Sequence, residues 1–195
     1  MFLYKEIDFP QVPNELFEVD FLNMDTVVND LGYGKQHTKN GQIVKACQYS
    51  YTRIKYQPLV DWLSSLLPGL DKSRMMLQQQ TNIFGPTHIV HSDIGRSYAL
   101  NYIRSIGGDN VVTSWYQEKN KPLKRKKFQG GQQADSGFVD YNNLEVLGST
   151  IFQQNKWYLL ATDILHDVDN ITGIRQSITI NFRDNSHELF TKFGI

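Results

Sequence analysis

Two residues of complementary chemistry stand two positions apart in the segment HSDIGR (91–96). On a β-strand, residues two apart project from the same face, so the His91 imidazole and the Asp93 carboxylate would point at one place. A ring nitrogen and a carboxylate oxygen at one place suit a metal ion. The pattern also fits the polar end of an ordinary strand, so a metal site needs a further ligand from elsewhere.

His166, in the segment DILHDVD (163–169), is the candidate third ligand. Two histidines and one carboxylate bind one face of a divalent iron ion and leave the other positions open. The 73 residues that separate Asp93 from His166 leave room for several strands to bring the chain back beside the first pair. His88 is the alternative ligand if the assumed strand register is wrong, and a structural role fits each histidine taken alone.

A carboxylate-binding pair follows in the segment IRQSITINF (174–182). Arg175 and Ser177 would share one strand face, so a guanidinium and a hydroxyl can bind the same carboxylate. Because the pair comes one strand after His166, it predicts a small dicarboxylic acid that binds the metal at one end and this pair at the other.

The elements that must position these residues are mostly strands. Eight short segments rich in β-branched and aromatic residues, separated by turn residues, predict an antiparallel barrel or a double-sheet jelly roll. They are residues 73–84, 87–93, 97–106, 110–117, 144–152, 156–162, 163–168 and 174–182.

One helix is predicted ahead of these strands, over PLVDWLSSLL (58–67), and Pro68 and Gly69 would end it. Its apolar side chains recur at helical spacing and should pack on a sheet. They are Leu59, Val60, Leu63, Leu66 and Leu67. The acidic and apolar residues over 13–32 also fit a short helix.

A long segment, residues 118–140, interrupts the strands with a basic cluster and a Gly- and Gln-rich stretch. It is interpreted either as a solvated mobile loop or as a lid or patch that meets an anionic substrate. The cluster consists of Lys119, Lys121, Lys124, Arg125, Lys126 and Lys127.

Composition limits the classes of function. The 195 residues carry 20 basic and 20 acidic side chains, so no general attraction to nucleic acid or membranes is expected, although a nucleic acid as substrate stays open. Cys47, the single cysteine, is expected to be a small packing residue. No apolar run reaches membrane-spanning length and the N-terminus lacks a signal pattern, so a soluble, cytoplasmic protein is expected.

The order His-x-Asp, a distant His, and Arg-x-Ser on the last core strand resembles the iron(II)- and 2-oxoglutarate-dependent oxygenases, over roughly residues 73–183. The resemblance implies a mainly β fold, a double-stranded β-helix (jelly roll, cupin-like) with N-terminal supporting helices. It implies that His91, Asp93 and His166 bind Fe(II) and that Arg175 and Ser177 bind the distal carboxylate of 2-oxoglutarate. Arg96 would contact the cosubstrate or an anionic substrate group, or else form a surface ion pair.

By this resemblance the chain is a single oxygenase domain over 1–195, with helical or mixed support over 1–72, the jelly-roll core over 73–183 and the loop insertion at 118–140. The implied reaction consumes O2 and 2-oxoglutarate, releases succinate and carbon dioxide, and hydroxylates a C–H bond. The chain is loosely similar to small stand-alone members related to prolyl and aspartyl/asparaginyl hydroxylases. A small molecule, an amino acid, a peptide and a modified nucleobase all remain open as substrate.

Two other classes of function are weighed against the oxygenase. A non-catalytic cupin-type metal- or ligand-binding module would share the fold but has no use for a carboxylate clamp at Arg175 and Ser177. A nucleic-acid-binding protein would use the basic loop, but the neutral charge argues against it.

Several further residues have no orientation from sequence alone. Six residues could line the mouth of the barrel, and strand alternation implies that about half of them face inward. They are Asn82, Tyr98, Asn101, Tyr102, Trp115 and Tyr116. His37 and His187 are expected to be structural or exposed.

Overall fold

The structure is a computed structural model. It describes residues 2–17, 36–39, 42–45, 48–53, 57–69, 75–81, 90–93, 96–120, 122, 125–127, 133–135 and 141–182. Within these ranges the chain forms thirteen strands and one α-helix, α1 (Gln57–Leu66). The strands are β1 (Tyr4–Ile7), β2 (Gln36–Lys39), β3 (Gln42–Lys45), β4 (Gln48–Arg53), β5 (Met75–Thr81), β6 (Tyr98–Ile106), β7 (Val112–Glu118), β8 (Arg125–Lys127), β9 (Gln133–Asp135), β10 (Leu144–Thr150), β11 (Lys156–Ala161), β12 (Leu165–Asp169) and β13 (Arg175–Phe182).

Two antiparallel sheets make up the body of the fold. The first sheet has the order β1-β11-β6-β13-β5-β4, and the second has the order β10-β7-β12. An isolated antiparallel bridge between His91 and His166 adds the segment 90–93 beside β12. The remaining strands form two separate hairpins, β2 with β3 and β8 with β9.

The order in which the chain visits the two sheets defines the fold. From β5 onward, the chain passes through eight strand positions of the two sheets, counting the His91 segment and leaving out the β8–β9 hairpin. In chain order, these positions lie in the first, second, first, second, second, first, second and first sheet. Two four-stranded layers built in this way are a jelly roll, or double-stranded β-helix. The mainly β fold predicted from the sequence is therefore confirmed.

Helix α1 packs on the face of the first sheet that points away from the second, which we call the outer face. Leu59, Val60, Leu63 and Leu67 are buried, whereas Leu66 is half-buried at the edge of the same cluster. The outer-face partners in this cluster come from five strands. They are Ile7, Met75, Leu77, Leu100, Tyr102, Trp157, Leu159, Ile178, Ile180 and Phe182. The helix ends before Pro68, as the sequence predicts, and Gly69 takes a positive φ of 81°.

The opposite side of the first sheet, the inner face, looks toward the second sheet. Ile103 and Leu160 from this face pack against Trp115 of β7. This contact identifies which face of each sheet points toward the other sheet. Strand register then assigns the neighbours: Ser177 lies opposite Ile103 and Thr179 lies opposite Asn101. The inner face of β13 is therefore polar, while its outer face is apolar.

The N-terminal part contains more strand than expected. β1 adds to the free edge of β11, and β4 adds to β5 at the other end of the first sheet. Among the described residues, the helical support predicted over 1–72 consists of α1 and a 3₁₀ turn at Asn14–Leu16. Most of the predicted short helix over 13–32 lies outside the described residues, and the domain division over 1–195 stays a prediction.

Candidate metal centre and ligand chamber

The structure brings His91, Asp93 and His166 together. One ligand atom from each side chain lies within 4.8 Å of the others. His91 Nε2 is 3.9 Å from Asp93 Oδ1, and the two imidazole centroids are 4.4 Å apart. Among the described residues this is the one cluster of three or more His, Cys, Asp or Glu side chains with such spacing.

Backbone hydrogen bonds hold the three residues in this arrangement. His91 N donates to His166 O at 3.0 Å, and His166 N donates to His91 O at 2.8 Å. Asp93 N donates to Thr162 O at 2.6 Å, so the segment 90–93 is joined to the residues that lead into β12. The Thr162 hydroxyl donates to Arg96 O at 2.8 Å on the far side of the same segment.

His166 is prepared to act as a neutral ligand. Its Nδ1 is 2.8 Å from Ile164 O, and because a carbonyl oxygen only accepts, Nδ1 carries the proton and Nε2 keeps its lone pair. Desolvation by burial, helped by the neighbouring His91, lowers the pKa of His166 from 6.5 to about 4. The ring is therefore uncharged at neutral pH.

Arg96 forms an ion pair with a candidate ligand itself. Its Nη2 lies 2.8 Å from Asp93 Oδ1, and both side chains are half-buried. The contact with Asp93 corresponds to the ion-pair alternative given for Arg96, although it sits at the site rather than on open surface. A guanidinium in this position limits the rotation of the Asp93 carboxylate.

The donor set fits a divalent metal ion. Two imidazole nitrogens and one carboxylate oxygen suit iron and zinc, and three protein ligands leave positions open for other molecules. Ligand atoms about 2.1 Å from one ion lie roughly 3.0–3.5 Å apart. The 3.9 Å between His91 and Asp93 is slightly wider, so small side-chain rotations are enough to bring both atoms into range.

Arg175 and Ser177 are buried side by side on the inner face of β13. Arg175 is 5% exposed and Ser177 is 4% exposed, and their register with β5 is regular, so alternation places both on one face. Gly107 packs on the first of them: a Cβ at Gly107 would stand 2.9 Å from the Arg175 Cβ. The backbone of Gly107 has φ +82°, a conformation that favours glycine.

The space between the two sheets, which we call the chamber, has a polar side and an apolar side. Thr179 and Asn101 continue the polar row from β13 onto β6. The apolar side is formed by one cluster near β11. It contains Ile103, Trp115, Phe152, Tyr158 and Leu160.

The predicted barrel-mouth residues divide between the two faces. Asn101 and Trp115 face inward, and the Trp115 indole donates to Ala161 O at 2.9 Å. Tyr98 and Tyr102 belong to the cluster on the outer face beneath α1. Tyr116 lies on the side of the second sheet that points away from the first.

Several predicted residues cannot be placed. Asn82, His88, His187 and Cys47 lie outside the described residues, as does most of the segment 118–140. His37 is described as part of β2, without its side chain. Their roles stay predictions.

Sequence reasoning missed a buried carboxylate beside the candidate metal ligand. Asp167 is fully buried, receives a 2.8 Å hydrogen bond from the Tyr141 hydroxyl and lies 3.1 Å from the Tyr116 hydroxyl. Burial, with the charge of Asp167, raises the pKa of both tyrosines, so both remain donors. Alternation with His166 indicates that Asp167 points to the opposite face, but nothing in the sequence identifies the two tyrosines.

Comparison with known proteins adds little beyond the fold. No family model and no curated protein matches the sequence. Matching solved structures include E. coli ycfD, at 11% identity and TM-score 0.39 over 75% of this chain and 37% of that one. The coconut allergen cocosin matches at 11% identity and TM-score 0.36, over 90% of this chain and 36% of that one.

The chain thus spans little more than a third of the length of either protein. Likenesses this weak carry no argument about the site, and the strand order alone defines the jelly roll. No helix among the described residues is long and apolar enough to span a membrane.

Proposed function

We propose that the protein is an iron(II)- and 2-oxoglutarate-dependent dioxygenase that hydroxylates a C–H bond. The observation that carries the proposal is the convergence of His91, Asp93 and His166 within 4.8 Å in a jelly roll in which the inner face of β13 is polar. A simple binding module has no need for a buried arginine and serine on that face. The proposal therefore rests on two groups of residues and not on the metal ligands alone.

In this proposal the three ligands hold the metal by one face, and His166 enters as a neutral imidazole. Iron held there supplies the redox chemistry that converts 2-oxoglutarate and O2 to succinate and carbon dioxide while one oxygen atom enters the substrate C–H bond. Arg96 orients the Asp93 carboxylate through their ion pair.

The inner face of β13 binds the cosubstrate. The Arg175 guanidinium makes a two-pronged contact with the distal carboxylate of 2-oxoglutarate, and the Ser177 hydroxyl donates a further hydrogen bond. The apolar cluster around Trp115 limits the access of water to the other side of the chamber. Segment 118–140 is proposed as a lid or a patch for an anionic substrate.

The test is turnover of 2-oxoglutarate in the absence of an identified substrate. Purified protein is supplied with Fe(II), 2-oxoglutarate and oxygen, and succinate is followed by NMR. Succinate that forms only with Fe(II), and that is lost in His166→Ala, supports the proposal. Iron-loaded, folded protein that forms no succinate contradicts it and favours the non-catalytic cupin-type module, as does a His166→Ala variant as active as wild type.

A further inference from the structure

A buried cluster lies directly behind the candidate metal centre, on the side of the second sheet that points away from the first. It receives neighbours of both histidines in the chain, since Val90 precedes His91 and Leu165 precedes His166. Because adjacent residues on a strand project from opposite faces, this cluster supports the chain segments whose other sides carry the metal ligands. We call it the backing cluster. Its remaining members are Tyr116, Tyr141 and Leu144.

The Asp167 carboxylate accepts hydrogen bonds from the two tyrosines of the backing cluster. The Tyr141 hydroxyl donates to Asp167 Oδ2 at 2.8 Å, and the Tyr116 hydroxyl lies 3.1 Å from both carboxylate oxygens. The two rings meet edge to face, with their centroids 5.8 Å apart. Asp167 is thus held by a residue of the neighbouring strand β7 and by a residue of the 3₁₀ turn that precedes β10.

The position of Asp167 affects the direction in which the His166 ring points. The two residues are adjacent on β12 and project from opposite faces, so a rotation of the strand about its own axis moves their side chains in opposite directions. On the side of β12 away from β7, the described residues contribute a single bridge, at His91, rather than a full ladder. A carboxylate fixed in the backing cluster therefore limits a rotation that the backbone pairing restrains only partly.

Tyr141 also joins the base of segment 118–140 to the metal centre. Lys119, near the start of this segment, donates its backbone N–H to Asn143 O at 2.8 Å. The two ends of the segment therefore meet at the turn that carries Tyr141. From this turn, one hydrogen bond leads to the residue next to His166.

We propose that Tyr141 is a positioning residue for the metal centre, because its hydrogen bond to Asp167 fixes the orientation of β12 and with it the direction of His166. This inference rests on the metal site of the proposed function. Groups that orient metal ligands without touching the metal usually bond the ligand ring itself, and their loss weakens metal binding roughly 10–100-fold. Here Ile164 O occupies that place on the ring, and Tyr141 acts through the next residue of the strand.

The experiment compares Tyr141→Phe with Tyr102→Phe. Each variant loses one tyrosine hydroxyl, but the hydroxyl of Tyr102 bonds to Asn155 and belongs to the outer face of the first sheet. Anaerobic equilibrium dialysis measures the Fe(II) affinity of each folded variant, and the visible spectrum of the Co(II)-loaded protein reports the geometry of the ligands. Tyr141→Phe should bind Fe(II) about tenfold more weakly and change the Co(II) spectrum. Tyr102→Phe should match wild type in both.

A second pair of variants tests the acceptor of this hydrogen bond. The amide of Asp167→Asn can still accept from the Tyr141 hydroxyl and donate to the Tyr116 hydroxyl oxygen, whereas Asp167→Ala can do neither. Asp167→Asn should therefore keep the wild-type Co(II) spectrum and an Fe(II) affinity within a few-fold of wild type. Asp167→Ala should lose at least as much Fe(II) affinity as Tyr141→Phe.

The outcomes separate this inference from the proposed function. Wild-type Fe(II) affinity and Co(II) spectrum in Tyr141→Phe, or an equal loss of affinity in Tyr102→Phe, would overturn the role of Tyr141 and leave the dioxygenase proposal intact. Asp167→Asn that binds iron as weakly as Asp167→Ala would overturn it as well. A wild-type protein that binds no metal would overturn both proposals, and one that binds iron but forms no succinate would overturn the dioxygenase alone.

Discussion

The two faces of the first sheet bury side chains of different polarity. On β13, Ile178, Ile180 and Phe182 point outward and pack beneath α1, as core residues do. Arg175 and Ser177 on the same strand point inward and are buried just as deeply. In most two-layer β proteins the space between the sheets is the apolar core, whereas here the better apolar core lies outside it.

This difference separates residues that stabilise the fold from residues kept for binding. The inner face of β13 presents a row of polar side chains toward the second sheet. Such a row suits the polar ligand that the proposed function requires. Substitutions on the outer face should therefore change stability, and substitutions on the inner face should change affinity.

The largest effect is expected at the metal centre. Asp93→Ala should weaken Fe(II) binding by at least about 100-fold, because loss of groups that merely orient ligands already costs 10–100-fold. Succinate formation should disappear with it. Equilibrium dialysis measures the metal, and Asp109→Ala, an exposed carboxylate in the turn after β6, is the control. Wild-type iron affinity in Asp93→Ala would remove this residue from the ligand set.

On the outer face, Leu63→Ala should lower the free energy of unfolding by about 2–5 kcal/mol, because Leu63 is fully buried in the cluster beneath α1. Urea denaturation measures the loss. The folded variant should bind iron and 2-oxoglutarate as wild type does. A large change in either affinity would show that the two faces are not independent.

On the inner face, Arg175→Lys should weaken the binding of 2-oxoglutarate and leave the stability of the fold nearly unchanged. Lysine keeps the charge but cannot make the two-pronged contact, so 2-oxoglutarate should bind roughly tenfold more weakly. Iron affinity should not change, and neither should binding of 2-oxopentanoate. Calorimetry on the iron-loaded protein checks all three, and equal weakening of both acids would show that Arg175 does not contact the distal carboxylate.

The smallest effect is expected at two glycines, where backbone strain can be separated from the positioning of Arg175. Gly107 and Gly69 have nearly the same positive φ, +82° and +81°, but only Gly107 has a neighbour, Arg175, within 4 Å of an added Cβ. Alanine at either position should cost about 1 kcal/mol of stability from backbone strain. Gly107→Ala should also weaken 2-oxoglutarate binding a few-fold, because it displaces Arg175. Equal 2-oxoglutarate affinities in the two variants would mean that Gly107 has no part in placing the arginine.

Local pattern predicted much of the fold. The spacing of Leu59 and Leu63 indicated α1, and the runs that became β6, β11 and β13 were recognised from their β-branched and aromatic residues. The edge strands β1 and β4 were missed. Edge pairing depends on a distant partner strand and leaves little signal in short segments such as YKEI.

The candidate site was only partly accessible to sequence reasoning. Alternation put His91 and Asp93 on one face, and the chemistry of a two-histidine, one-carboxylate site selected His166 as the third ligand. No local pattern, however, shows that β12 lies beside the His91 segment. Alternation defines two faces without saying which one meets the other sheet, so Tyr116 could not be separated from Trp115. The ion pair of Arg96 with Asp93 depends on how the two residues are placed in space, which residue types do not determine.

The most direct test of the central claim is an anaerobic calorimetric titration of wild-type protein with 2-oxoglutarate, with and without Fe(II). If the triad and the inner face of β13 form one site, 2-oxoglutarate should bind only when iron is present, and at least about tenfold more tightly than 2-oxopentanoate. Iron-loaded protein that binds neither acid, or that binds both with equal affinity, would contradict a cosubstrate site in this chamber.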